Sequence, residues 1–207
     1  MPLYFGRTTC SNRNTESFME SNIYFDKRFN GQIYMNIAFE NDQPKTFKSM
    51  NNGRFWYEMK FFNHDRSEYR QPVHFNFSLQ DSRRFSQDLF EIDIQYQQLS
   101  DGLQPFITFD IGYSWIRTPK TRNQLTILDY TPFIFAMDLD TNFINFSWDE
   151  AKTWIKYKLF TKSPKVLYVG KFSKTDQKVI IVTREASRHE ITFTILDFSK
   201  LFSFPVL

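Results

Sequence analysis

Cysteine, glycine and histidine are all scarce in this chain, with 1, 6 and 3 copies in 207 residues. A lone Cys10 excludes an intrachain disulfide framework and any multi-cysteine zinc site, and it points to a reducing compartment or a virion interior. Few glycines mean that most turns fall to Asn, Asp and Ser, as at Asn51-Asn52-Gly53 and Ser100-Asp101-Gly102. His64, His74 and His189 have no second histidine at ligand spacing, so no metal site is expected. Long apolar runs are missing too. The stretch from Pro132 to Met137 is far too short to span a bilayer, and MPLYFGRTTC lacks the basic start and apolar run of a secretory signal. The expectation is an intracellular, soluble protein of the cytoplasm or nucleus, in a host cell if the chain is viral, without a membrane partner. No Gly-rich phosphate loop, nucleophile elbow or dinucleotide fingerprint occurs, so no catalytic residue, no cofactor and no enzymatic activity are expected. Asp138 and Asp140 lie on one side of an extended segment, as a cation pair would. At the end of PFIFAMDLDTN they read more simply as a strand end and turn.

What the chain has in abundance is aromatic side chains: 25 Phe and 19% aromatic residues overall. Such residues favour half-buried pleated surfaces. Period-two alternation runs through Ile33, Met35, Ile37 and Phe39, then through Arg54 to Phe62, Val73 to Leu79 and Phe106 to Ile116. One or two strands follow between Leu125 and Leu139, broken at Thr131-Pro132, with a short one at Phe143 to Phe146. Further strands are expected at Lys165 to Phe172, Lys178 to Arg184 and Glu190 to Leu196. Asn76 and Asn145 head Asn-Phe-Ser sequons inside these alternating runs, where coincidence explains them.

Helices are expected where polar caps follow strands. From Asp81 to Leu99, Phe90, Ile92, Ile94 and Tyr96 alternate like a strand, while Phe85, Leu89, Ile92, Tyr96 and Leu99 keep helical spacing. The Gln, Asp, Glu and Leu content and an Asp81-Ser82 cap favour helix. Ser147-Trp148-Asp149-Glu150 matches a capping box, predicting a helix from Trp148 to Phe160 with Trp148, Ala151, Ile155 and Leu159 inward. Asp197 caps a final short helix, Phe198 to Phe202. The expected fold is α+β and β-rich, with antiparallel sheets each closed by a helix; the alternative is an all-β sandwich or jelly roll with one helix. The chain then divides into an N-terminal arm at 1–20 and sheet-helix units at 21–100, 102–162 and 164–207.

The recurring strand, cap and helix pattern, clearest in VHFNFSLQDSRRFSQDLFEIDIQYQQLSDG and repeated in INFSWDEAKTWIKYKLF and ITFTILDFSKLF, resembles PUR-type and Whirly-type single-stranded nucleic-acid-binding proteins. The Lys-Gly-Lys-Ala-type motif of plant Whirly proteins is missing. The resemblance implies bases stacked on aromatic residues of sheet faces, with basic side chains along the phosphates. Candidate stacking residues are Tyr34, Trp56, Phe62 and His74; candidate phosphate contacts are Arg54, Lys60, Lys165, Lys171, Lys178 and Arg184. A formal net charge of +3 permits phosphate binding without requiring it. The leading expectation is thus a non-catalytic protein, homo-oligomeric, that binds single-stranded nucleic acid. Alternatives are a viral or structural β-sandwich that assembles through aromatic surfaces, and a protein-binding or inhibitory module with a protein partner.

Overall fold

A computed structural model describes residues 22–38, 43–79, 92–128, 131–173, 176–184 and 190–202. Among these residues fifteen strands form four small sheets in chain order. Sheet one is a meander of β1 (Ile23–Phe25), β2 (Ile33–Ile37), β3 (Lys45–Ser49) and β4 (Tyr57–Glu58). Sheet two joins β6 (Asp93–Leu99), β7 (Gly102–Thr108) and β8 (Ser114–Arg117), with β5 (Lys60–Phe62) added parallel to β8. Sheet three is the meander β9 (Thr126–Ile127), β10 (Ile134–Met137), β11 (Phe143–Ser147) and β12 (Ile155–Lys158). Sheet four holds β13 (Lys165–Lys171), β14 (Lys178–Arg184) and β15 (Ile191–Asp197).

Three hydrophobic cores lie between successive sheets. Tyr34, Phe61, Phe75, Phe106 and Trp115 fill the space between sheets one and two. Ile94, Ile107, Ile116, Ile127, Ile134 and Ala151 fill the next. Phe133, Phe135, Met137, Val179 and Ile181 join sheet three to sheet four. Each inner sheet therefore buries both faces, which explains why Phe135 and Ala136, on opposite faces of β10, are both fully buried.

Among the described residues no sheet is closed by a helix and nearly all of the structure is β, which overturns the expected α+β fold. At the Ser147 capping box, the Ser147 hydroxyl accepts from the Ala151 N–H at 3.1 Å, and Asp149 accepts from the Thr153 N–H at 2.9 Å and the Thr153 hydroxyl at 2.6 Å. Those bonds wrap a turn with Glu150 and Ala151 at φ 58° and 61°, a left-handed pair that a helix cannot contain. The chain leaves the turn as β12, so Trp148 and Ile155 are exposed and of the expected inward stripe Ala151 alone is fully buried. Between Phe90 and Leu99 the described part is β6, paired along its length with β7; the expected helical residues 81–91 lie outside the described residues. Val73 to Leu79 carries no ladder: it continues a strap that begins at Glu68 and ends in a 3-10 turn at Phe77–Leu79. The short helix after Asp197 is present as one turn, α1 (Ser199–Phe202).

The same turn occurs three times. Ser49-x-Asn51-x-Gly53, Thr108-x-Asp110-x-Gly112 and Ser147-x-Asp149-x-Ala151 each lead to a tryptophan three residues after the fifth: Trp56, Trp115 and Trp154. In every copy the first hydroxyl accepts the N–H of the fifth residue, at 2.9, 2.9 and 3.1 Å. The Asx oxygen in turn accepts the N–H of the seventh, at 2.9 Å each time. Fourth and fifth residues are left-handed throughout. This local hydrogen-bond set reverses the chain and drops the tryptophan towards a core: Trp115 is fully buried, and Trp154 packs on the second core. The first copy also splits the alternating run at Arg54 to Phe62, sending Tyr57 into sheet one and Phe61 into sheet two.

Candidate functional site

Sheets one and two meet in two polar features, one closed and one open. The closed one is a charge network built on the β1–β2 turn. Arg28 binds Asp26 through Nε and Nη2, at 3.0 and 2.7 Å, reaches Asp93 at 2.9 Å, and donates to the Ile92 carbonyl at 2.8 Å. Gln32 donates to Asp26 at 3.2 Å and to the Tyr34 hydroxyl at 2.5 Å. Burial pushes the Asp93 carboxyl up to about 6, against the pull of Arg28 and with the push of Asp26. Burial works against the Arg28 charge, yet its hydrogen bond to Asp26 and the field of Asp93 raise its pKa further. Nearby, Lys48 donates to the Ile111 carbonyl at 2.7 Å and stands 4.9 Å above the Tyr113 ring; burial lowers it to about 8. One guanidinium facing two carboxylates is a hydrogen-bonded clamp between sheets, with one negative charge in excess when both are ionised.

The open feature is a cleft of about 360 Å³ between β3 and β4 on one side and β5 and the 68–73 strap on the other. Met59, Phe61 and Val73, all buried, make its floor, while Lys45, Glu58, Lys60, Glu68 and Arg70 ring it. The strap is placed by the Tyr69 N–H on the Phe61 carbonyl at 2.8 Å and the Thr46 N–H on the Val73 carbonyl at 2.9 Å. Two ion pairs lie on the rim, Lys45–Glu58 on one side and Arg70–Glu68 on the other, both at 3.0 Å between exposed side chains. Such pairs contribute only about 0–1 kcal/mol each, so a ligand's charges can replace them at little cost. An apolar floor under a rim of both signs suits a segment that offers apolar and charged side chains in alternation.

The sequence-derived site residues do not converge. Tyr34 is fully buried, between Tyr24 and Trp115, and cannot stack on a base. Trp56 is half-buried over Gly53, and Phe62 and His74 are half-buried on β5 and the strap. Arg54 is exposed beside the first turn; of the ten, Lys60 alone lines the cleft. Lys165 stands across from Arg184 in sheet four, Lys171 across from Val179, and Lys178 lies 3.6 Å from Asp197. Glu58, Glu68, Tyr69 and Arg70 were not anticipated; the alternating charges of Asp65 to Arg70 are a visible signal for the last three, and Glu58 has none. Asp138 and Asp140 shape the β10–β11 turn, with Asp138 also accepting from Asn145 and Lys156 at 2.8 and 3.0 Å. Both sequon asparagines are buried. Among the described residues no group of three or more His, Cys, Asp or Glu could hold a metal ion, and no helix is long and apolar enough to cross a membrane.

No protein-family model matches the sequence. The chain is 31% identical over 102 residues, 48% of its length, to vacuolar protein sorting/targeting protein 10 of Schizosaccharomyces pombe, and that match spans 7% of the relative. Among solved structures it is similar to YCF48 bound to D1 peptide, with TM-score 0.42 and 12% identity over 89% of this chain and 57% of that one. It is also similar to the GH74 enzyme of Niastella koreensis, with TM-score 0.37 and 12% identity over 81% of this chain and 24% of that one. At these TM-scores neither likeness fixes a fold.

Proposed function

We propose that the chain is a protein-recognition module that takes an extended peptide segment in the cleft between sheets one and two. The observation that carries this reading is the cleft's mixed-charge rim over the buried floor of Met59, Phe61 and Val73. A phosphate backbone calls for one sign of charge, whereas this rim alternates Lys45, Glu58, Lys60, Glu68 and Arg70. Peptides in extended form present side chains to alternate sides, which suits an apolar floor beneath a charged rim. A relative whose name assigns it to protein sorting and targeting supports a protein ligand over a nucleic acid.

An array of extended peptides of varied charge, probed with the full chain, tests it. Arg70 and Glu68 are exposed, so Arg70→Glu and Glu68→Lys leave the core untouched. The expected result is that the wild type retains a subset of peptides and that each reversal shifts the charge preference of that subset. A retained set that ignores both reversals sinks the proposal. So does an absence of peptide binding together with salt-sensitive binding of an oligo-dT strand, which would favour the single-stranded nucleic-acid reading.

A further inference from the structure

Among the described residues sheets one to three each contain four strands, while sheet four contains three, with β15 at its rim. Among the described residues no strand lies along the outer edge of β15. Edge strands are ordinarily blunted by lysine, proline or a bulge. The opposite edge follows that rule: β13 carries Lys165 and Lys171 and a bulge between Val166 and Tyr168. β15 does not. Its register with β14 is unbroken from Arg184↔Ile191 to Lys178↔Asp197, and Ile191 to Leu196 includes neither charge nor proline. Ile191, Phe193 and Ile195 project from it 55%, 66% and 49% exposed.

The strand is also self-complementary. Ile191-Thr192-Phe193-Thr194-Ile195 reads identically in both directions. An antiparallel partner runs in reverse, so a second copy laid along this edge meets its own sequence, with Phe193 opposite Phe193, Thr192 opposite Thr194 and Ile191 opposite Ile195. Aromatic pairs, threonine pairs and β-branched pairs are the cross-strand combinations that stabilise a sheet. Charge selects the same edge. In a chain of net charge +3, pairing through β13 would bring lysines of both copies together, whereas Ile191 to Leu196 brings none. A two-fold axis at Phe193 closes the interface and uses up both β15 edges, so the joined sheet ends at its two β13 strands, which carry the lysines and the bulge.

We propose that β15 pairs with β15 of a second copy, antiparallel and centred on Phe193, to make one continuous six-stranded sheet. This rests on the edge alone and is independent of the cleft. Light scattering on the full chain should give twice the 25.0 kDa chain mass. Phe193→Lys, on a side chain that faces solvent, should return it to the single-chain mass with its circular dichroism unchanged. Register is tested in a Cys10→Ser background by mild oxidation. Residues at position 193 face each other about 5 Å apart, within disulfide reach after small adjustment. Residues at position 191 lie four strand steps from each other, about 13 Å. Phe193→Cys should therefore give a covalent dimer and Ile191→Cys should not. A single-chain mass at roughly 100 μM protein, where even weak edge pairing would be populated, overturns the proposal. Equal crosslinking at both positions overturns it as well.

Discussion

The space between sheets one and two is filled by Tyr34, Phe61, Phe75, Phe106 and Trp115 and backed by the Arg28 clamp, whereas that between sheets two and three is almost wholly aliphatic. Both are served by the same turn, Thr108 to Trp115 for the first and Ser147 to Trp154 for the second. Their difference shows how one local device adapts to two cores. At the first, the fifth turn residue is Gly112, because a Cβ there would stand 2.5 Å from the Tyr34 hydroxyl and 3.2 Å from the Lys48 amine. At the second it is Ala151, whose methyl is buried in the aliphatic core. Aromatic packing with polar tips demands space and partners; aliphatic packing takes up a methyl wherever one fits.

The largest effect expected on this comparison comes from Trp115→Ala. Trp115 is fully buried, with Phe75 at 5.2 Å and Tyr34 at 6.2 Å between ring centroids. Its removal should cost about 3–5 kcal/mol in denaturant unfolding, since so rigid an aromatic cluster cannot collapse into the void. Trp154→Ala, at the equivalent place in the third turn but only partly buried, should cost distinctly less. Equal losses would mean that the two interfaces are energetically alike.

Gly112→Ala follows. The new methyl meets the Tyr34 hydroxyl while the residue is held at φ 78°, so overpacking and a left-handed alanine add to roughly 2–4 kcal/mol. Combining it with Tyr34→Phe, which removes the contacting oxygen, should recover part of that loss. The pair thus reads out the close approach between the turn and sheet one.

Next in size is a pH effect confined to the first interface. Asp93 is raised from 3.8 to about 6 in the folded chain. Between those values the folded state holds a proton that the unfolded state has released, so this group adds stability as pH falls from about 7 towards 4. Asp110 and Asp149, in the turns, shift the other way: burial opposes, but hydrogen bonds from Ser114 and Thr153 hold them below the ordinary value. Their contribution is present above that value and fades only under stronger acid. Thermal melts across pH 7 to 5 should show the wild type gaining on Asp93→Asn as pH drops. Parallel curves would remove Asp93 from the account.

Much of the strand pattern was legible, as at β2, β14 and β15, where apolar residues recur along the runs expected as strands; β6 alternates too, but its competing helical spacing and polar composition favoured helix. The turn at Ser147 was misread as a helix start, and the one at Thr108 as part of a strand from Phe106 to Ile116 that it in fact divides into β7 and β8; the first error has a physical reason. A capping box and this turn both begin with a hydroxyl and a carboxylate at close spacing, and they differ in which N–H the hydroxyl accepts. The triple spacing of hydroxyl, Asx, small residue and tryptophan was nevertheless present in the sequence, at Ser49, Thr108 and Ser147. Tyr34 was misassigned because alternation separates two faces without saying which is covered: its face of β2 meets sheet two. The cleft was hardly legible, since Lys45, Glu58 and Arg70 come together only when the strap folds back on β5.

Ala151→Gly gives the smallest shift and the finest test of the comparison. Alanine at φ 61° carries a steric penalty of about 1 kcal/mol that glycine would relieve. Against that stand the loss of one buried methyl, about 0.8 kcal/mol, and the greater unfolded-state freedom of glycine, about 0.5–1 kcal/mol. The net should be a loss of less than about 1 kcal/mol, beside the several expected for Gly112→Ala. A clear gain in stability would show that the second core makes little use of the methyl and that the turn alone sets the residue. A loss as large as that of Gly112→Ala would show the opposite, that the aliphatic core is as tightly fitted as the aromatic one.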